Sequence, residues 1–537
     1  MIVDTELLTG GYVYSPTNPD ATAIAVTDGV VAWIGTDEVG RALHPGARET
    51  PLDGRFVAPA FVDPHVHLTS VGLDSSGVDL SGSRSRAEAL TAIAAHARRT
   101  APGALIWARG WDQSRWADPT PLTTADIDSA VDGRPAYIAR IDEHSAAAST
   151  ALRQSVKTLS AAAGFDPDQP ATADAHHQLR AAARGLLSQA DVAGAQRAAC
   201  EEALRNGVVA VHENGGPDIA GLEDFRALAA IDTPLIIQRY WGEAVTDVDA
   251  AQDVLATTGA DGLGGDLFVD GSLGSHTALL AEPYADAPTR GQAHLDYDQV
   301  RAHLAACTAA GIQAGFHAIG DAAVKVVTEA LAAVAEELGR DAVVRCVHRI
   351  EHAEMVGAEQ ADILAGLGIV ASMQPLFDRL WGGPDQMYAA RLGRDRALAL
   401  NNFAQLAKAG VGLAFGSDAP VTPLRPWAAI QAAAHHHTET SRVSPRAAFA
   451  AASRGGWRAA GVRDGEIGTL LPGAPAHLAI WEVDQLVVAA GNSRVQRWST
   501  DPRSRVPALP DLTPGATLPT CVRTVLAGQT VYDVDSV

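Results

Sequence analysis

The chain has 537 residues, 47% of them hydrophobic and 19% charged, so it is too long for one ordinary domain and too apolar for wholesale disorder. Its 41 basic and 63 acidic side chains give a formal net charge of −22, a surface that repels nucleic acid and anionic membranes and says little about a small neutral substrate. No run of about 18 uninterrupted apolar residues and no basic, apolar leader is present, so no membrane span or signal peptide is expected and a cytoplasmic location is. The four cysteines, Cys200, Cys307, Cys346 and Cys521, are too dispersed for a Cys-x-x-Cys site and fit a reducing compartment. Cys307 falls on a helical face and Cys346 in a strand-like run. Homo-oligomerisation is compatible with these numbers and not required by them.

Residues 1–56 alternate as short strands: 11–14, 23–26 and 30–35, with turn residues between them. The C-terminal end repeats this pattern at 476–481, 521–526 and 530–532, with Gly473 and Gly528 as breakers. Together, 1–56 and 465–537 are expected to form one small composite β-sandwich domain. The middle, 57–464, alternates strands and helices. Its candidate strands are 58–66, 207–212, 234–240, 265–269, 312–317, 343–350, 368–373 and 411–416. Val324, Val327, Leu331, Val334 and Leu338 form one helical stripe stopped by Gly339, and Val300, Leu304 and Cys307 form another stopped by Gly311. This α/β alternation predicts a (β/α)8 TIM-like barrel. An open doubly wound sheet is the alternative, and the lack of a Gly-x-Gly-x-x-Gly between strand and helix weighs against it. A large insertion after strand 1, about 68–206, is too long for a βα connection and is expected to roof the barrel mouth. It contains an exposed Ala-, Pro- and Asp-rich loop at 161–172. The stretch 489–519, with five prolines, reads as a surface excursion.

Chemistry enters where the apolar runs end. His65 and His67 close the first run, and positions i and i+2 of a strand point the same way, so both can grip one ion. His317, His352 and Asp418 close later runs, and barrel closure would bring all five to one mouth. Four imidazoles and a carboxylate suit Zn2+ or another divalent transition metal, as one or two ions. Such an ion lowers the pKa of water and polarises a carbonyl oxygen. Asp418 is then the expected proton carrier.

His65-Val-His67, Asp270-Gly-Ser-Leu-Gly-Ser-His-Thr-Ala278, His317-Ala-Ile-Gly-Asp321-Ala, Arg349-Ile-Glu-His352, Gln374-Pro375 and Gly416-Ser-Asp418-Ala-Pro together resemble the amidohydrolase superfamily. Trp111-Asp112-Gln113 and the stretch 468–480 resemble it too. The likeness is greatest to the amidohydrolase-3 branch, which includes N-substituted formamide deformylase. The resemblance implies a metal-bearing barrel, a composite β-sandwich and hydrolysis of a non-peptide C–N bond, with the substrate left open. An ester, a lactone or a deaminated ring are alternatives for the same site, and a non-catalytic binding protein on a degenerate barrel is a third reading.

The sequence departs from this family at one place. Relatives often carry a lysine on strand 4, whose carboxylated form bridges two metals, but Asp266 stands there, and none of Lys157, Lys325 and Lys408 ends a barrel strand. Asp266 either ligates directly in its place, or the site is mononuclear and Asp266 pairs with an arginine or caps the strand; Glu213 is a rival carboxylate. Asp270, His276, Gln374 and Trp111 are candidate substrate contacts. For Asp270 the alternative is to hold the Gly271 turn. For His276 it is an ordinary loop position, and for Trp111, Trp116 and Trp381 it is core packing. Asp321 is expected to cap the helix after strand five. His435-His436-His437 follows a helical run and is expected to fan around a helix surface. His477 has no evident role.

Overall fold

The computed structural model describes residues 5–101, 103–488 and 506–536. Eight parallel strands surround the functional region: β1 (Phe61–Val66), β2 (Val208–Gly215), β3 (Ile236–Trp241), β4 (Gly262–Leu263), β5 (Gly315–Ala318), β6 (Arg349–His352), β7 (Val370–Met373) and β8 (Gly412–Phe415). β1 to β4 pair with their neighbours in one sheet, and β5 to β8 in another. Parallel bridges join the two sheets at both seams, Leu263 to Ala314 and Val66 to Ala419. At the second seam the Asp418 amide donates to the His65 carbonyl (2.8 Å) and the His67 amide to the Ala419 carbonyl (2.8 Å). The arrangement is TIM-barrel-like. β2 is buried along its whole length, as a strand covered on both faces must be.

Three expected strands differ from those observed. The run 58–66 is two strands. Phe56–Pro59 pairs antiparallel with Leu478–Glu482, and the chain then turns at Ala60 into β1. The first half of the run 343–350 is helix, the end of Arg340–Cys346, which buries Val343 and Cys346 one turn apart, and the strand is 349–352. Cys346 is therefore helical. The run 265–269 is irregular beyond β4, held by one bridge from Phe268 to His317. Two glycines cause this. A Cβ on Gly264 would lie 2.3 Å from the Gly315 nitrogen, and Gly265 has φ +74° with its Cβ direction 2.4 Å from Asn214 Oδ1.

Both chain ends build the flanking β layer. One sheet runs Tyr12–Val13, Phe56–Pro59, Leu478–Glu482, Thr520–Leu526, Gln529–Asp533. The other contains Val30–Gly35, Ala23–Thr27, Thr5–Thr9 and Arg48–Pro51. Leu8, Ile24, Val31, Val57, Leu478 and Val522 share one core. Within the stretch 489–519, residues 489–505 lie outside the described part. Leu509 and Leu512 are buried against the main core, so the remainder is not a simple surface excursion.

The insertion carries its own five-stranded sheet, including Ile106–Trp111, Ala136–Arg140 and Ser145–Ala148. Ile93, Ile106, Ile127 and Ile138 fill its core. Helices Leu68–Ser76 and Gln189–Arg205 pack together and return the chain to β2. Among the described residues, no helix is long and apolar enough to cross a membrane.

Candidate metal centre

β1 ends at Val66, so His67 lies one residue beyond it and opens helix Leu68–Ser76. Both imidazoles still converge. His65 Nε2 is 3.4 Å from Asp266 Oδ1 and 3.4 Å from Asp418 Oδ1. His67 Nε2 is 3.2 Å from Asp266 Oδ2 and 3.2 Å from Asp418 Oδ1. His352 Nε2 lies 3.9 Å from Asp266 Oδ1. Among the described residues, two groups bring their donor atoms within 4.8 Å of one another: His65, His67 and Asp418, and His65, Asp266 and His352. His317 belongs to neither group but stands beside them, its ring centroid 4.4 Å from that of His352.

The donor atoms fit a cation. His65 Nε2, Asp266 Oδ1, His352 Nε2, Asp418 Oδ1 and both ring nitrogens of His317 are buried without a hydrogen-bond partner. Buried polar atoms are almost always paired, because each orphan costs about 1–3 kcal/mol. The orphans of His65, His352 and the two carboxylates, gathered in the two donor groups, mark a position for a positive charge. Without it the electrostatics are split. Burial opposes charge on His67, yet hydrogen bonds to Asp266 and Asp418 lift it to about 9. Burial likewise opposes charge on Asp266 and Asp418, but the neighbouring imidazoles hold both carboxyls below their usual range. Burial and the adjacent His352 push His317 down to about 3. Protons on His65 and His67 thus stand where a cation would neutralise the two carboxylates.

A second layer orients the first. His65 Nδ1 hydrogen-bonds Glu351 Oε2 (2.9 Å), which leaves Nε2 for the centre. Arg349 donates to both Glu351 oxygens (2.7 and 2.9 Å) and to the Pro64 carbonyl (2.7 Å). Its guanidinium, 4.5 Å from the Tyr240 ring centroid, holds the buried Glu351 carboxyl down at about 2. Asp63 accepts from the His65 amide (3.2 Å) and the Ser417 amide (3.0 Å), which pins β1 to the loop after β8. His352 and Asp418 both hold positive φ, 69° and 54°, unusual for side-chain-bearing residues.

Several expected contacts lie elsewhere. Gln374 Oε1 pairs with His352 Nδ1 (2.9 Å), so its carbonyl end orients a histidine and is not free for substrate. Asp270 accepts from the Leu279, Ile319 and Gly320 amides (2.8, 3.0 and 2.8 Å), so it ties down the turn and the start of helix Asp321–Leu338. Asp321 is the first helical residue, and Gly320 occupies the cap position. His276 pairs with Asp286 (3.0 Å) and does not line the cavity. Trp111 and Trp116 belong to the insertion core, with Trp111 Nε1 donating to the Ile138 carbonyl (3.0 Å). Glu213 accepts from the Leu68 amide (2.7 Å) and joins neither donor group. His435 ends helix Pro426–Ala434; the buried His436 and the exposed His437 both lie beyond it and reach Asp378 (3.2 and 3.0 Å), so the three do not fan over a helix surface. His477 accepts from the Ala527 amide (3.1 Å) in the β layer.

The insertion does reach the mouth. Glu143, His144, His177 and Arg180 line one cavity together with His67, Asp266, His317, His352 and Asp418. Asp142 accepts from Ser272 and Ser275 (2.9 and 2.8 Å) and pairs with Arg140 (2.8 Å), clamping the insertion to the loop after β4. The only hint in the sequence was the chemistry-rich run Asp142-Glu143-His144. Nothing local announced His177 or Arg180, which ride on helix Ala173–Arg184.

Comparison with known proteins agrees with this geometry. A family model described as "Amidohydrolase family" matches residues 49–532. The protein LONG AFTER FAR-RED 3 of Arabidopsis thaliana is 28% identical over 522 residues, covering 89% of this chain and 87% of its own. The N-substituted formamide deformylase of Arthrobacter pascens is 24% identical over 456 residues, covering 77% and 80%. A crystal structure of an uncharacterized metal-dependent hydrolase from Pyrococcus horikoshii superposes with a TM-score of 0.68 at 26% identity, over 90% of this chain and 98% of that one. The chain is a hydrolase and belongs to the amidohydrolase family.

Proposed function

We propose that this chain hydrolyses an amide or N-acyl C–N bond, outside peptides, in a small molecule, and that Zn2+ is its cation. The supporting observation is the ring of buried, unpartnered donor atoms around Asp266 and Asp418. His65, His67 and Asp418 would hold one ion, and Asp266, His352 and His317 stand ready for a second. Asp266 faces both groups and replaces the lysine expected at this place. A bound divalent cation supplies Lewis-acid polarisation of the carbonyl and a lowered pKa for water. Asp418 is held ionised at neutral pH, so it can take a proton from the attacking water and return it to the leaving nitrogen. The finer architecture proposed is a closed (β/α)8 barrel, supported by the two seam bridges, flanked by a composite domain of 1–56 and 465–537. Cys200, Cys307, Cys346 and Cys521 are all unpaired and buried, which supports a reducing compartment such as the cytoplasm.

Elemental analysis of protein loaded with zinc, followed by a panel of amides and esters, tests this reading. Asp418→Asn should retain most of its metal and lose about 10²- to 10⁴-fold in kcat. His65→Ala should lose the metal itself. An Asp418→Asn enzyme at full rate removes the proton-carrier role. A loaded protein that cleaves esters but no amide overturns the choice of bond.

A further inference from the structure

The metal donors adjoin two cavities of very different size. The inner one, walled by His67, Asp418 and Arg180 among others, offers about 30 Å³, room for about two water molecules. The other, of about 520 Å³, lies where helix Ala173–Arg184 of the insertion faces the loops after β2, β3 and β4. His177, Asp266 and Phe268 stand in the wall of both. Asp266 is only 6% exposed, and its Oδ1 has no hydrogen-bond partner. The insertion itself is tied to the barrel at several points. Arg109 donates to the Pro420 carbonyl (2.6 Å), Arg184 to Ser70 Oγ (2.7 Å), and Asp142 accepts from Ser272 and Ser275. Lifting the roof would break all of these ties, which leaves the wide cavity as the approach to the centre.

The lining of the wide cavity has one sign of charge. Asp174, Asp218 and Glu243 stand at its exposed rim, and no lysine or arginine lines it. Among the described residues none of the three carboxylates forms an ion pair. The arginines of the same helix go elsewhere, Arg184 to Asp224 (3.7 Å) and Arg180 to the Asp218 carbonyl (2.6 Å). Deeper in, rings form one wall, with His177 stacked on Phe268 (5.8 Å, 28°) and on His294 (6.3 Å, 28°). Burial holds both imidazoles below their ordinary range, so at neutral pH neither offsets the carboxylates. An acidic rim above a ring face suits a cation. We infer that the body of the substrate lies in the wide cavity and carries a positive charge, such as an ammonium or guanidinium group. Only the scissile group and a small fragment beyond it enter the inner cavity. This inference rests on the metal centre of the preceding section and names the substrate class for it.

Metal-chelating hydroxamates of matched length test this without turnover: 6-aminohexanohydroxamic acid, heptanohydroxamic acid and pimelic monohydroxamic acid, which end in a cation, a methyl group and an anion. In calorimetry at low salt, zinc-loaded full-length protein should bind the cation about 10-fold more tightly than the anion, a few-fold for each exposed carboxylate. The neutral compound should fall between them. In about 1 M salt, where charges are screened within about 3 Å, the ratio should approach one. The combined variant Asp174→Asn, Asp218→Asn, Glu243→Gln should lose the ratio at low salt and still bind acetohydroxamic acid. Ala181→Trp, which fills the wide cavity from an exposed position on its helix, should weaken all three long compounds about 10-fold and spare acetohydroxamic acid. Equal binding of the three, or tightest binding of the anion, overturns the inference and leaves the metal centre standing. A cation preference that survives the combined variant overturns it as well, and so do long compounds that bind Ala181→Trp as tightly as wild type. Failure to bind even acetohydroxamic acid overturns the metal reading and this inference together. Should the combined variant not fold, as judged by its melting curve, the salt dependence of the wild-type ratio decides.

Discussion

His65 has one nitrogen for a cation, and Glu351 decides which. The carboxylate accepts a hydrogen bond from Nδ1 at 2.9 Å, and Arg349 keeps that carboxylate ionised inside the core. Glu351→Gln would leave an acceptor oxygen in place but strip Arg349 of its charge partner. Breaking a buried pair this way costs about 3–5 kcal/mol, because the remaining charge is uncompensated. Looser control of the His65 tautomer should also weaken metal binding by about 10- to 100-fold. Chelator competition reads the second effect and thermal melting the first, and unchanged metal affinity would show that Glu351 serves the fold alone. At this scale the sequence was uneven. His65 and His67 announced themselves by local spacing. The tie from His65 to Glu351 crosses 286 positions, and its only trace was a strand with two charged residues, Arg349 and Glu351, alternating inside an apolar neighbourhood.

β4 shows how an element is cut short to place one side chain. Regular pairing stops at Leu263, and Gly264 and Gly265 let the chain pass close to β5 and to Asn214. Asp266 then leaves the line of the strand and faces His65 and His67. Only glycine tolerates both the positive φ at 265 and the approach of 2.4 Å that a Cβ there would make to the Asn214 side chain. Gly265→Ala should therefore displace Asp266. The expected result is a loss of about 1–3 kcal/mol in stability, together with metal affinity, while circular dichroism stays native. An alanine variant with normal metal content would mean that the backbone at 265 has slack the geometry does not show. Short elements such as β4 are also where sequence reading failed. The run 265–269 is apolar enough for a strand, but Gly264 and Gly265 matter only against Gly315 and Asn214, each distant in sequence. The run 343–350 has an apolar pattern that suits strand and helix equally, and burial of Val343 and Cys346 on one turn chose helix.

The whole molecule converges on one small volume. β1 and β8 meet there at a seam, β4 delivers Asp266, β6 delivers His352, and the insertion closes over the top. The sequence showed the convergence of the strand ends, because periodicity and order suffice for that. It did not show that the insertion supplies Glu143, His144, His177 and Arg180, because that depends on how a separate sheet docks. A cation shared by these parts should couple them, and pH should tune the coupling. In metal-free protein His67 is raised from 6.5 to about 9 by the two carboxylates. Its protonated form therefore adds stability that is fully present below about pH 6.5 and is lost as pH rises through about 9. Metal binding must expel that proton, so affinity strengthens with pH over the same window. Chelation should thus cost little in melting temperature near pH 6 and progressively more towards pH 9. At a free metal concentration about 1,000 times Kd the difference amounts to about 4 kcal/mol. Hydrogen exchange should locate the loss at the seam, in the amides of His67 and Asp418, ahead of the β layer built from the chain ends. A gap between loaded and stripped protein that is flat from pH 6 to 9 would mean that no histidine proton competes with the cation, and that the carboxylates are neutralised some other way.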